Sequence, residues 1–254
     1  MNGVEVNGID DLIHNVRIWA RVLGWVYDPI NKYWFKNNVK FKQIYDAIFY
    51  VFDYGDYEPL DVKGKVVVDV GAYVGDSAIY FALKGAKRVI AIEPHPGAFA
   101  EMLDNIRLNN LESVIIPINA GLASKLGKIC IENIDASNTF AIYHRPGDCP
   151  NTVPAIPLNE LISRFDVDPN DAVLKMDCEG CEFDVILNDY EHVKLFEEVV
   201  FEYHAYAVHR PIAELINTMS KDLNCQTINE DFYRKFFSDY SRDQLGLIRC
   251  VKRS

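Results

Sequence analysis

No stretch of this chain approaches the roughly 18 consecutive apolar residues that a membrane-crossing helix needs. Its most apolar N-terminal run, Ile18 to Tyr27, is broken by Arg21 and follows acids, a pattern unsuited to a signal peptide. Positive charge is scarce as well: 26 Lys and Arg face 37 Asp and Glu, for a formal net charge of −11. Nonspecific nucleic-acid binding needs cations that neutralise phosphates, so this balance opposes it. Lys32, Lys36, Lys40 and Lys42 gather the best local positive charge and read as a solvated face. Cysteine is sparse, and Cys130, Cys149, Cys178, Cys181, Cys225 and Cys250 lack the spacing of a secreted disulfide framework. A cytoplasmic protein without a membrane partner is the expectation from these absences. Repeats, low-complexity tracts and glycine- or proline-rich linkers are missing too. Residues 1–60 are therefore expected to form a helical extension packed directly on a main domain, 61–254.

What is present is enough apolar sequence for a sizeable core, 49% of residues, and one informative run. Val66-Val67-Val68-Asp69-Val70 reads as a buried strand ending near an acid, followed by Gly71-Ala72-Tyr73-Val74-Gly75 and a helix beginning near Asp76. A strand feeding a glycine turn and a helix N-terminus is where α/β proteins bind nucleotide-like ligands. The dinucleotide fingerprint would place glycine at position 73, where it lets backbone approach a pyrophosphate. Tyr73 stands there instead, which favours a nucleoside ligand without a pyrophosphate, such as S-adenosylmethionine. The next strand, Arg88 to Ile92, leads into Glu93, placed to accept hydrogen bonds from ribose hydroxyls.

Strands and helices alternate from Lys65 onward, implying βαβ units and a mostly parallel sheet. Gly85 is a suitable stop for the helix after the glycine turn, and Pro96 a suitable first-turn residue for the following one. Lys128–Asn133 and Thr139–Tyr143 suggest a β-excursion, and Leu245–Val251 a late strand in a terminal hairpin. The aromatics before residue 60 are expected in the core. Phe52 to Glu58 must lie near the glycine turn and could close over a bound cofactor.

Ala172-Val-Leu-Lys-Met-Asp-Cys-Glu-Gly-Cys-Glu182 is a strand ending in Leu174-Lys175-x-Asp177, then Glu179-Gly180-x-Glu182 opening a helix. With the glycine turn, Ile92-Glu93-Pro94 and Leu108-Asn109-Asn110, this block resembles the FkbM family of S-adenosylmethionine-dependent methyltransferases, from about Phe52 to His204. Tyr73 departs from the Asn that the family often has. The resemblance implies a Rossmann-like class I methyltransferase fold: a mostly parallel seven-stranded sheet with the last strand antiparallel, here with an N-terminal helical cap. It also implies S-adenosylmethionine as cofactor, held by Asp69, Gly71, Ala72, Tyr73, Gly75, Asp76 and Ser77 around the methionine portion. Glu93 with Pro94 would serve the ribose, Asn119 would sit near the adenine, and Asp177 would stand where donor and acceptor meet. Transfer to a hydroxyl of a small molecule or glycan is the implied reaction.

Methyl transfer to an alcohol needs an aligned nucleophile about 3 Å from the methyl carbon and a group to take the proton. Asp177, Glu179 and His204 are the catalytic candidates, with Glu182 and Glu202 close by in the pattern. Such a cluster could also ligate Mg²⁺ or Ca²⁺, though no metal is assigned from sequence. Glu179 and Glu182 also suit a helix N-terminus as plain dipole partners. Cys178 and Cys181 have no second pair to complete a zinc site and read as core fillers. Ser77 lacks the G-x-S-x-G elbow of a hydrolase. Alternatives are an RNA methyltransferase, because Asp104 to Asn110 is similar to tRNA guanine methyltransferases; an NAD-dependent oxidoreductase; and a non-catalytic binding protein on the same fold.

Overall fold

The structure, a computed structural model, describes residues 9–131, 145–146 and 149–253. An N-terminal region holds α1 (Ile9–Val22), the short strands β1 (Val26–Asp28), β2 (Tyr33–Lys36) and β3 (Val39–Phe41), and α2 (Asp46–Phe52). There follow β4 (Val66–Val70), α3 (Asp76–Leu83), β5 (Arg88–Ile92), α4 (Pro96–Leu108) and β6 (Ile115–Ile118). An excursion comprises β7 (Gly121–Leu122), β8 (Gly127–Cys130), β9 (Arg145–Pro146) and β10 (Thr152–Ile156). Next are α5 (Leu158–Arg164), β11 (Ala172–Met176), α6 (Cys181–Asn188), α7 (Tyr190–Val193) and β12 (Glu198–His204). The chain ends through α8 (Ala205–Val208), α9 (Ala213–Met219), β13 (Leu223–Ile228), α10 (Glu230–Phe236) and β14 (Leu245–Lys252).

Seven strands form the central sheet in the order β13-β14-β12-β11-β4-β5-β6. Pairs from β12 through β6 are parallel, and β14 runs antiparallel between β12 and β13. This is the Rossmann-like, mostly parallel sheet with an antiparallel strand that the resemblance implies. Every residue of β4 and β11 is buried, as the middle of a parallel sheet covered on both faces requires. Period-two alternation then sends Val67 and Val173 into one core and Val66, Val68, Val70 and Leu174 into the other. Because β4 has β5 on one side and β11 on the other, the strand order reverses there. A crevice opens above the carboxyl ends at that reversal.

The N-terminal region contributes the aromatic half of one core. Trp19 packs edge-on to Phe49 at 5.5 Å and stacks on Phe236 of α10 at 5.6 Å, while Trp25 donates its indole N–H to Asp53 at 2.9 Å. Between α1 and α2 stands an antiparallel sheet, β1-β2-β3, whose strands of three or four residues were too short to announce themselves. The excursion forms a second small sheet, β7-β10-β8-β9. Its arm expected at Thr139–Tyr143 lies outside the described residues.

The cysteines are not free core fillers. Cys130–Cys149, Cys178–Cys181 and Cys225–Cys250 are disulfides. Cys225 and Cys250 meet because β13 and β14 pair with those residues directly opposite, a register that linear spacing does not reveal. Pairing all six removes the cysteine argument for a reducing compartment. No helix among the described residues is long and apolar enough to cross a membrane.

Gly71 sets how closely the β4 turn approaches the end of β11: it has φ +74°, and an added Cβ would overlap the backbone carbonyl of Asp177. Gly71→Ala should therefore lower stability by several kcal/mol, about the upper end for single substitutions. Gly127→Ala, which meets nothing within 4 Å, should change it by less than about 0.5 kcal/mol. Urea midpoints of the two variants check this, and similar midpoints would refute the close-approach argument.

Candidate active site

Beneath the crevice lies a buried ion pair. Lys175 of β11 sits in register with Asp69 of β4, and its ammonium is 3.1 Å from Asp69 Oδ1. The same ammonium donates to the carbonyls of Gly71 at 2.7 Å and Val70 at 3.2 Å. Burial works to lower the Lys175 pKa, but Asp69, Asp177 and Asp76 outweigh it and hold the amine protonated. Ser77 Oγ donates to Asp69 Oδ2 at 2.7 Å. Asp69 and Ser77 thus brace the turn from below and do not face the cavity.

Above them the turn itself is left-handed at Gly71, Tyr73 and Gly75. Its Tyr73 N–H donates to Glu93 Oε2 at 2.8 Å, and the His95 N–H to Glu93 Oε1 at 2.7 Å, so one carboxylate ties the loops after β4 and β5 together. Burial pushes the Glu93 carboxyl up to about 7 against those two bonds. Asp76, at the start of α3, is also driven to about 7, by burial first; Lys175 partly counters this. Asp76 Oδ1 is buried with no hydrogen-bond partner.

A second group gathers at the tips of β11 and β12. Glu202 and His204 are two residues apart on β12 and share a face, and Asp177 follows the adjacent β11. His204 Nε2 lies 3.6 Å from Glu202 Oε1 and 3.8 Å from both Asp177 Oδ1 and Glu179 Oε2. Its Nδ1 is 3.3 Å from Glu182 Oε1. Glu182 is fully buried and accepts from the N–H groups of Cys178 and Gly180 at 2.7 and 2.9 Å. Burial alone would lower the His204 pKa, but Glu179 and Glu182 turn the net shift strongly upward. Glu179 is pushed up to about 7, mainly by burial. The loop carrying it is tight: Glu179 has φ +54° and Gly180 φ +111°.

A cavity of about 310 Å³ joins the two groups. Gly71, Tyr73, Asp76, Glu93 and Pro94 line its cradle side, and Asp177, Glu179, Glu202 and His204 its acidic side. Tyr50, Tyr206, Phe237 and Tyr240 wall the remainder. A second, more apolar cavity of about 360 Å³ shares Gly71, Pro94, Cys178 and Glu179 and runs to Leu122, Ile129 and Phe183.

Not every expected site residue faces these cavities. Ala72 and Gly75 are absent from both linings, where Gly75 caps α3. Asn119 donates its amide to the carbonyls of Glu93 and Pro94 at 2.9 and 3.1 Å, fixing that loop. Sequence reasoning missed Tyr57, whose buried ring lies 5.7 Å from the Lys175 ammonium and whose hydroxyl bonds the Asp177 carboxylate. It also missed Tyr233, which donates to Glu202 Oε2 at 2.8 Å. The Phe52–Glu58 segment was the available signal for Tyr57; nothing local marks Tyr233 or the aromatic wall from 237–240.

A family model described as Methyltransferase FkbM domain matches residues 69–225. Over 171 residues the chain is 27% identical to hexuronic acid methyltransferase AglP of Haloferax volcanii, covering 66% of this chain and 68% of that protein. It is 25% identical over 154 residues to uncharacterized protein 158B of Sulfolobus islandicus rod-shaped virus 1, covering 61% and 70%. Among solved structures, M. jannaschii TYW2 in complex with AdoMet matches 87% of this chain and 84% of its own, with TM-score 0.43 and 18% identity.

Asp76 and Glu93 generate a stability prediction with a definite sign. Each has a folded pKa of about 7, above its ordinary value, so its stabilisation is full at low pH and lost as pH rises towards and through 7. Lys175, Asp69 and Asp177 face Asp76, and Lys175 and Asp69 act on Glu93, where the carboxylate also accepts from backbone N–H groups. The ligand-free protein should melt several degrees higher at pH 5.5 than at pH 7.5, and Asp76→Asn should shrink that difference. Calorimetric melting at the two values decides it; a melting point that rises with pH would refute the assignment.

Proposed function

The chain belongs to the FkbM methyltransferase family and is an S-adenosylmethionine-dependent methyltransferase, and we propose that it methylates a hydroxyl of a sugar or similar small molecule. One observation carries the finer reading: His204 is buried among four carboxylates, Asp177, Glu179, Glu182 and Glu202, beside the cradle that the turn and Glu93 form. That gathers carboxylates able to accept a proton at the place where an alcohol would have to lose one.

The residues of the cradle fit the cofactor chemically. Asp76 presents a buried, unpartnered carboxylate oxygen on the cavity, suited to an ammonium group. Each Glu93 oxygen accepts one backbone N–H and keeps a further lone pair for a ribose hydroxyl. The apolar cavity past Pro94 suits an adenine ring. When bound, S-adenosylmethionine supplies a methyl carbon made electrophilic by its sulfonium.

Around it, this chain's own side chains orient, exclude water and take up the proton. Asp177 stands between cradle and acceptor, held on its far side by Tyr57 and 3.9 Å from Lys175. An acceptor hydroxyl lying against Asp177 has the carboxylate of Glu179 beside it to receive its proton. Tyr50, Tyr206, Phe237 and Tyr240 shield that position and offer flat surfaces to a sugar ring. The acidic lining disfavours an RNA backbone, and the relative named as a hexuronic acid methyltransferase makes sugar acids the first acceptors to screen.

Titration calorimetry should show S-adenosylmethionine binding on the order of micromolar and no NADH signal. With an acceptor found among sugars and sugar acids, Asp177→Asn should cut kcat by roughly 100-fold or more while cofactor affinity changes only a few-fold. NADH binding without S-adenosylmethionine binding would overturn the proposal, as would an Asp177→Asn enzyme of undiminished kcat.

A further inference from the structure

We infer that Asp177, Glu202 and His204 form a binding site for one divalent cation of Mg²⁺ or Mn²⁺ size, whose open face presents to the acceptor. One ligand atom from each lies within 4.8 Å of the others. Proximity of acids alone would not suffice; the histidine makes the difference. Its side chain is 3% exposed, and Nε2 points into the cluster at 3.6–3.8 Å from the oxygens, beyond the 2.7–3.2 Å of an N–H···O hydrogen bond. Two ligand atoms held at about 2.1 Å from one ion, at angles of about 90–120°, stand roughly 3.0–3.7 Å apart. The His204–Glu202 separation of 3.6 Å falls in that range and the His204–Asp177 separation of 3.8 Å just beyond it, and both are longer than a bonded pair.

Each of the three side chains is also anchored from behind. Glu182 holds His204 Nδ1, the carboxylate–histidine–metal arrangement that fixes a ring and leaves Nε2 to the ion. Tyr233 occupies Glu202 Oε2, leaving Oε1 turned towards His204. Asp177 Oδ2 faces Lys175, leaving Oδ1 turned the same way. Glu179 Oε2 accepts from Tyr206 at 3.3 Å and stays outside the set, available for a proton.

The charge balance gives the cation a purpose. Asp76, Glu93, Asp177, Glu179 and Glu202 all line one cavity, with no lysine or arginine among the described residues of its lining. An acceptor carrying a carboxylate would be repelled there, whereas a cation would hold its carboxylate and a neighbouring hydroxyl together. The acceptor class that follows is one with two adjacent oxygen donors, such as a uronate or a vicinal diol. That role rests on the methyltransferase reading; the binding of the ion does not.

The test is Mn²⁺ titration of the full chain after EDTA treatment, followed by loss of the free-ion EPR signal, with S-adenosylmethionine calorimetry on every variant. One Mn²⁺ per chain is expected. His204→Ala and the isosteric Glu202→Gln should each weaken it at least tenfold, and Glu182→Gln about tenfold through the imidazole. Asp104→Asn, on the surface of α4, should leave it unchanged. Retained cofactor binding identifies the folded variants, and Glu202→Gln decides if His204→Ala fails to fold. Absence of saturable Mn²⁺ binding, or binding that survives the ligand substitutions, would overturn the inference. Mn²⁺ bound as expected by a protein that binds no S-adenosylmethionine would sustain the cation site and refute the function proposed above.

Discussion

A lysine ammonium in the middle of a parallel sheet is the constraint on which the site depends. Lys175 is 2% exposed on its side chain, and such a charge is tolerated only when paired and fully hydrogen-bonded. Asp69 on the neighbouring strand supplies the pair, and the Val70 and Gly71 carbonyls supply the remaining acceptors. Satisfying this one buried charge therefore draws the end of β4 and the beginning of its turn onto β11. The close approach leaves no space for a side chain at position 71, and it brings the cradle and Asp177 within one cavity. Binding geometry and sheet stability are in this respect the same interaction.

From that fixed point outward, the site is built from loops that carry backbone in unfavourable regions. Tyr73 and Glu179 are non-glycine residues with positive φ, one in each of the loops that flank the cavity. Such conformations persist only where surrounding contacts over-determine them. Glu93 does this for the first loop by accepting the Tyr73 N–H, and Glu182 for the second by accepting from Cys178 and Gly180. The Cys178–Cys181 disulfide closes the second loop covalently. Two buried carboxylates thus act as clamps on backbone, which is why acids outnumber cations here even before any ligand is considered.

Much of this arrangement was legible in the sequence because it is encoded locally. The valine run of β4, the acids at strand ends and the spacing of Glu202 and His204 are all short-range patterns, so strand periodicity alone aligned them on one edge of the sheet. The family resemblance added the seven-stranded, mostly parallel sheet with its last strand antiparallel. Residues whose role depends on long-range register stayed hidden. Lys175 reads as a motif residue, but its charge pairing shows only when Asp69 appears beside it, and Tyr57 and Tyr233 reach the cluster from elements far apart in the chain. The Cys225–Cys250 pair is invisible for the same reason: it is fixed by the β13–β14 register. Asp69 and Asn119 show the converse limit, since their positions were readable while their direction, towards neighbouring protein groups, was not.

The surplus of negative charge in the cavity also bears on turnover. A sulfonium donor is positively charged, and its demethylated product is a neutral thioether, so each transfer removes one unit of positive charge from among five acidic side chains. Every electrostatic contact that favours the donor is therefore weakened once the methyl group has left. The same surroundings favour taking up a proton: burial raises the Glu179 carboxyl to about 7, and on the proposed transfer the proton from an acceptor hydroxyl would restore the charge that the sulfonium loses. On the proposed transfer to a hydroxyl, net charge in the cavity would be conserved, the positive charge passing from the cofactor to a side chain. It leaves fully only when that proton reaches solvent. An acidic site is consequently well matched to binding the charged donor, stabilising the proton it displaces and releasing the neutral product.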